Sequence, residues 1–140
     1  MRIMSIESAD LARLEAAARA LARTLEAGDV VTLEGALGAG KTTFARALVA
    51  ALHGADEATS PTFTFWHRYP GTPPVNHLDL YRIERPDELV ELGLEEAFEP
   101  DAIVLIEWPE RAPELVPRGT IRVQIAGAGP EPRSLTVDRP

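Results

Sequence analysis

The residues with the clearest chemical capacity stand in one octet, Gly35-Ala36-Leu37-Gly38-Ala39-Gly40-Lys41-Thr42. Its spacing, G-x-x-x-x-G-K-T, is that of a phosphate-binding loop. Glycines let the backbone wrap closely, so successive N–H groups converge on phosphate oxygens. A helix that begins at the end of the loop adds the positive end of its dipole. Gly38, Ala39, Gly40, Lys41, Thr42 and Thr43 are therefore the expected nucleotide-binding set. Lys41 brings a compact positive charge to the outer phosphates, Thr42 a hydroxyl for Mg²⁺, and Thr43 a hydroxyl for an inner phosphate. Lys41 is also the only lysine in the chain, the other thirteen basic residues being arginine. A planar guanidinium does not replace an ammonium in a tight phosphate cradle.

Such a site needs acids opposite the loop. Ala102-Ile103-Val104-Leu105-Ile106-Glu107-Trp108 has the form of a buried parallel strand that delivers a carboxylate to its C-terminal end, in the manner of a Walker B strand. Glu107 is expected to hold Mg²⁺, directly or through water, or to polarise the attacking water. Trp108-Pro109 stops the strand, and Trp108 is expected by default to cap the core, the alternative being a lid on the site. A second acid, Asp79, lies in Val75-Asn76-His77-Leu78-Asp79-Leu80-Tyr81, where alternation puts His77, Asp79 and Tyr81 on one face. Read alone, that face is a solvent-exposed polar surface. Its functional alternative is a site for Mg²⁺ or for positioning water.

The hydroxyls of Thr59, Ser60, Thr62 and Thr64 fall between the loop and Asp79. GTPases keep their first switch segment at this chain position, where a threonine senses the γ-phosphate and Mg²⁺. Threonine and aromatic residues also favour a plain hairpin strand here, and the two readings are compatible. Arg133 could reach the nucleotide or lie on the surface.

The elements that must position these groups follow from periodicity. Arg2 to Ile6 is expected as an edge strand. Ser8 or Asp10 caps a helix on which Leu11, Leu14, Ala18, Leu21 and Leu25 share a face. Gly28 ends that helix and Val30–Glu34 forms the strand into the loop. The helix after the loop buries Phe44, Leu48, Ala51 and Leu52. His53 to Ala58 is a turn, 70–74 is a hairpin connection, and Pro86 starts a helix that buries Leu89, Val90, Leu92, Leu94, Ala97 and Phe98. Thr120–Ala126 and Arg133–Val137 close the chain as strands joined by a turn.

Length and composition bound the rest. The 140 residues are expected to form one P-loop ATPase domain over 1–140, of ordinary globular composition. The net charge of −8 argues against direct grip on a nucleic-acid backbone. There is no cysteine, no signal-like apolar stretch at the start and no run of membrane-spanning length, so a cytoplasmic protein is expected. The absence of an N-K-x-D guanine-reading motif favours ATP over GTP.

Several motifs together resemble one family. Gly38-Ala39-Gly40-Lys41-Thr42-Thr43-Phe44, Ser60-Pro61-Thr62-Phe63-Thr64, His77-Leu78-Asp79-Leu80-Tyr81-Arg82, Glu91-Leu92-Gly93-Leu94 and Ile106-Glu107-Trp108-Pro109 occur in the order and at the spacing of the bacterial TsaE (YjeE) family. That family is the ATPase component of tRNA threonylcarbamoyladenosine biosynthesis. The resemblance implies a P-loop NTPase-like three-layer α/β fold, with a mixed, largely parallel central sheet flanked by helices. It implies Mg²⁺-dependent binding and hydrolysis of ATP, weak in isolation. It also implies association with the TsaD and TsaB subunits, hydrolysis resetting that complex between turnovers, and contact with tRNA only through those subunits. Lys41, Asp79 and Glu107 carry over as catalytic positions. Thr42, Glu107 and Asp79 carry over as metal positions, and Thr62 as the switch-like threonine. The chain departs from the family pattern where Leu and Ala replace an N-terminal Thr, and where Glu131-Pro132 precede Arg133. The readings left beside this one are a small phosphotransferase acting on a metabolite and a nucleotide-dependent binding module with negligible hydrolysis.

Overall fold

In the computed structural model, residues 1–53 and 65–140 are described. The expected turn after His53 and the switch-like segment with Thr62 fall at 54–64, outside the described residues.

The apolar strands set the architecture. Seven strands form one sheet in the order β1 (Arg2–Ala9), β7 (Arg133–Asp138), β6 (Ile121–Ala126), β2 (Val30–Glu34), β5 (Ile103–Glu107), β4 (Val75–Asp79) and β3 (Trp66–Tyr69). The central strands β6, β2, β5 and β4 run parallel, and the antiparallel pairings lie at the two edges. Such central strands need cover on both faces, which explains why β5 is buried from end to end.

Alternation along the strands sorts the core into two layers. Val31, Leu33, Ile103, Leu105, Ile121 and Val123 pack under α1 (Leu11–Ala22) and α2 (Lys41–His53). Val30, Leu78, Val104 and Ile106 face the other way, against Leu89 of α3 (Asp87–Glu91) and Leu94 and Ala97 of a following 3₁₀ turn. The result is the expected three-layer α/β fold with its mixed, centrally parallel sheet. Among the described residues no helix is long and apolar enough to cross a membrane.

Several local expectations change. Asp10, not Ser8, caps α1, accepting from the Arg13 N–H at 2.9 Å. Leu11 and Ala51 are exposed rather than buried. Val90 and Leu92 are 67% and 42% exposed, because Gly93 turns left-handed at φ 65° and breaks the expected long helix after one turn. The polar face of β4 is exposed only toward its end. It shares the face of the core residue Val75, so His77 is only 6% exposed, Asp79 is half-buried and Tyr81, past the strand, is 42% exposed.

Candidate active site

Two chain crossings bring the chemical residues to one edge. β2 runs into the loop, whose far end is the first residue of α2, so Lys41 and Thr42 start that helix. β5 and β4 lie parallel in the register His77↔Leu105 and Asp79↔Glu107, and β5 pairs β2 as Leu33↔Glu107. All these strands therefore present their C-terminal ends to the same crevice. This is where open parallel sheets bind ligands. Val75, Ile103 and Leu105 belong to the core layer under α2. Period two then carries His77, Asp79 and Glu107 to that same face.

The loop holds its shape by its own backbone and by Arg133. Gly38 and Gly40 have φ of 81° and 110°, left-handed values that favour glycine. The Arg133 guanidinium donates to the carbonyls of Ala39 at 2.9 Å and Gly38 at 3.1 Å. It also reaches the carbonyls of Gly129, at 3.2 Å, and Glu131. Read from sequence as either a nucleotide contact or a surface residue, Arg133 here ties the β6–β7 turn to the loop. Beside it, Ser8, Ala9, Asp10, Leu11, Gly38 and Gly129 help line a cavity of about 490 Å³.

Lys41 is 4% exposed. Its ammonium donates to the Gly35 carbonyl at 2.5 Å and sits 3.2 Å above the centre of the Trp108 ring. Burial lowers its pKa, and the charges of Glu107, Glu110 and Asp79 act against that shift. Trp108 stands at φ 60°, a strained left-handed position for a bulky residue. That turn lays its ring between Lys41 and Tyr81, whose ring centre is 4.9 Å away. Trp108 packs on the second core layer, as expected of a cap, and also walls the crevice.

Glu107 is the hub. Only 2% exposed, it accepts from the Thr42 hydroxyl at 3.0 Å and contacts His77 Nε2 at 2.6 Å. Burial by itself would raise its pKa. The His77 bond and charge, the Thr42 bond and the Lys41 charge outweigh burial, so the net shift is downward and the carboxylate stays ionised. Asp79 differs. Burial raises its pKa, with Glu107's charge adding to the shift, while the Tyr81 N–H bond, at 3.1 Å, opposes it.

A cavity of about 300 Å³ joins these groups, lined by Gly38, Gly40, Lys41, Thr42, Asp79, Tyr81, Glu107 and Trp108 among others. Among the groups lining it, the Thr42 hydroxyl and the Asp79 and Glu107 carboxylates are oxygen donors that suit a hard divalent cation such as Mg²⁺. Among the described residues no cluster of three or more acids or histidines could hold a metal by itself. Phosphate oxygens and water would complete any coordination.

The structure thus brings together Gly38, Ala39, Gly40, Lys41, Thr42, Thr43, Asp79, Glu107 and Arg133 around the loop, while Thr62 lies outside the described residues. The link from His77 to Glu107 was not read from the sequence. Alternation marked its face correctly, but only the position of β4 inside the sheet shows what that face meets.

A family model described as "Threonylcarbamoyl adenosine biosynthesis protein TsaE" matches residues 8–135. The tRNA threonylcarbamoyladenosine biosynthesis protein TsaE of Bacillus subtilis is 40% identical over 80 residues, covering 56% of this chain and 49% of the relative. The protein of that name from Treponema pallidum is 35% identical over 82 residues, covering 59% of this chain and 61% of the relative. The chain thus spans only 49% to 61% of the length of these two curated relatives. The crystal structure of Bacillus subtilis YdiB superposes with a TM-score of 0.78 at 32% identity, covering 99% of this chain and 87% of that one. With the family model matched across most of its length and this fold shared with YdiB, the chain belongs to the TsaE family of threonylcarbamoyladenosine biosynthesis proteins.

Proposed function

We propose that the protein binds ATP with Mg²⁺ and hydrolyses it slowly, in support of tRNA threonylcarbamoyladenosine formation. Hydrolysis would reset a TsaD–TsaB complex between turnovers. The observation that carries the reading is the convergence of Lys41, Thr42 and Glu107 at the mouth of a glycine-built amide cradle.

The loop amides and the α2 N-terminus would bind the phosphates, and the Lys41 ammonium, now on the Gly35 carbonyl, would serve an outer phosphate oxygen. Thr42 and Glu107 would hold Mg²⁺, with Asp79 alongside. The bound cation would neutralise developing charge on phosphate oxygens. Asp79, with one oxygen on the Tyr81 N–H and its pKa raised, orients water in the crevice. Trp108 and Tyr81 restrict solvent on the open side. The cavity lined by Asp10, Gly38 and Gly129 would take the base. The net charge of −8 fits a protein that leaves tRNA to its partners.

The test is phosphate release from ATP without an added acceptor, alone and with purified TsaD–TsaB. Weak release, stimulation by the complex and a loss of about 100-fold or more in Lys41→Ala are expected. Unchanged release in Lys41→Ala would remove the site assignment. Phosphate transfer that needs a metabolite acceptor would favour a kinase instead.

A further inference from the structure

We infer that His77 is a positioning residue for the metal-facing carboxylate of Glu107. The inference rests on the Mg²⁺ reading above.

Glu107 ends a strand, and its side chain carries rotatable bonds that could swing either oxygen toward or away from the crevice. The structure pins it through two partners. Thr42 Oγ1 lies 3.0 Å from Oε1 and 3.3 Å from Oε2, and His77 Nε2 lies 2.6 Å from Oε2. A carboxylate accepts from both, so His77 presents Nε2–H. The imidazole is itself confined. It sits on β4 beside β5, and the His67 ring of β3 meets it edge-on at 5.8 Å and 76°. The carboxylate that His77 holds is the same one that bonds the loop threonine. Carboxylates and imidazoles that orient a metal's ligands in this way sustain affinity without touching the metal.

The geometry discriminates between two amide replacements. In His77→Gln the side-chain nitrogen reaches about as far as Nε2, whereas in His77→Asn it stops near the place of Nδ1. Binding of a fluorescent ATP analogue is titrated with Mg²⁺, and separately measured in EDTA. The Mg²⁺ concentration for half-maximal binding should rise about 10–100-fold in His77→Asn and stay near wild type in His77→Gln. Affinity in EDTA should stay the same in all three proteins. A wild-type Mg²⁺ requirement in His77→Asn, or equal impairment in both variants, overturns the inference and leaves the Mg²⁺ reading standing. Wild-type binding indifferent to Mg²⁺ overturns both. Independently of any variant, ¹⁵N-edited spectra of the wild-type protein should show His77 protonated at Nε2 and its resonance moving when Mg²⁺ and nucleotide are added. An unprotonated Nε2 also overturns it.

Discussion

Gly35→Ala tests the placement of the phosphate loop against the sheet. A methyl on Gly35 would lie 2.4 Å from the Ile125 carbonyl oxygen and 3.2 Å from the Ala39 Cβ. Real Cβ atoms keep at least 3.0 Å, so the two backbones must part by 0.6 Å or more, the difference between 3.0 and 2.4 Å. Neither side can yield by rotating a side chain. Gly35 follows β2, which pairs β6 through Glu34↔Gln124, and Ile125 is the next residue of β6. Overpacking of this kind costs about 1–3 kcal/mol. With a urea dependence of about 2 kcal/mol per molar, the unfolding midpoint should fall by about 1 M. The displaced Gly35 carbonyl is also the acceptor for Lys41, so the ammonium shifts with it. Each 1.4 kcal/mol lost at the cradle weakens nucleotide binding about tenfold. Gly38→Ala is the control, because a methyl there meets nothing within 4 Å although φ is 81°. It should cost about 1–2 kcal/mol of backbone strain without parting the strands. Urea unfolding and titration with a fluorescent ATP analogue measure both quantities. An unchanged midpoint and unchanged affinity in Gly35→Ala would refute the packing of the loop on β6.

The two acids should respond to pH with opposite signs. Asp79 holds its proton more tightly folded than unfolded, so its ionisation costs stability as pH rises above 3.8 through its raised folded pKa. Asp79→Asn should therefore be more stable than wild type at neutral pH, by on the order of 1 kcal/mol or about 3 °C. The advantage should shrink as pH falls back through that window. Glu107 is shifted down, so its contribution is present above 4.5 and lost as pH falls through its folded pKa. Glu107→Gln should be less stable than wild type at neutral pH, and the gap should close in acid. Thermal unfolding across pH measures both. Arg133→Met removes the donors to Gly38 and Ala39 and should loosen the loop from the β6–β7 turn. About 1–2 kcal/mol of stability and about tenfold in nucleotide affinity should be lost, read by unfolding and by analogue binding. Full retention of both would reduce Arg133 to a surface residue.

Local sequence carried much of the site. The octet ending in Lys41-Thr42, the aliphatic run into Glu107 and the alternation through Asp79 each act over a few residues, where backbone preference and side-chain period decide the outcome. The same local logic located β2, β5, β6 and the start of α1. It failed at Val90 and Leu92, where one left-handed glycine redirected the chain, and at the surface position of Ala51.

The kinds of groups at the candidate site were thus written into the chain: one ammonium, loop hydroxyls and two strand-borne acids. Which of those groups meet was a matter of sheet order. Parallel pairing sets β4 next to β5 in the register Asp79↔Glu107, brings both Thr42 and His77 to the Glu107 carboxylate, and brings Trp108 over Lys41. The physical reason is that pairing between strands distant in sequence depends on burying both faces of the sheet at once, a constraint no short stretch of residues contains.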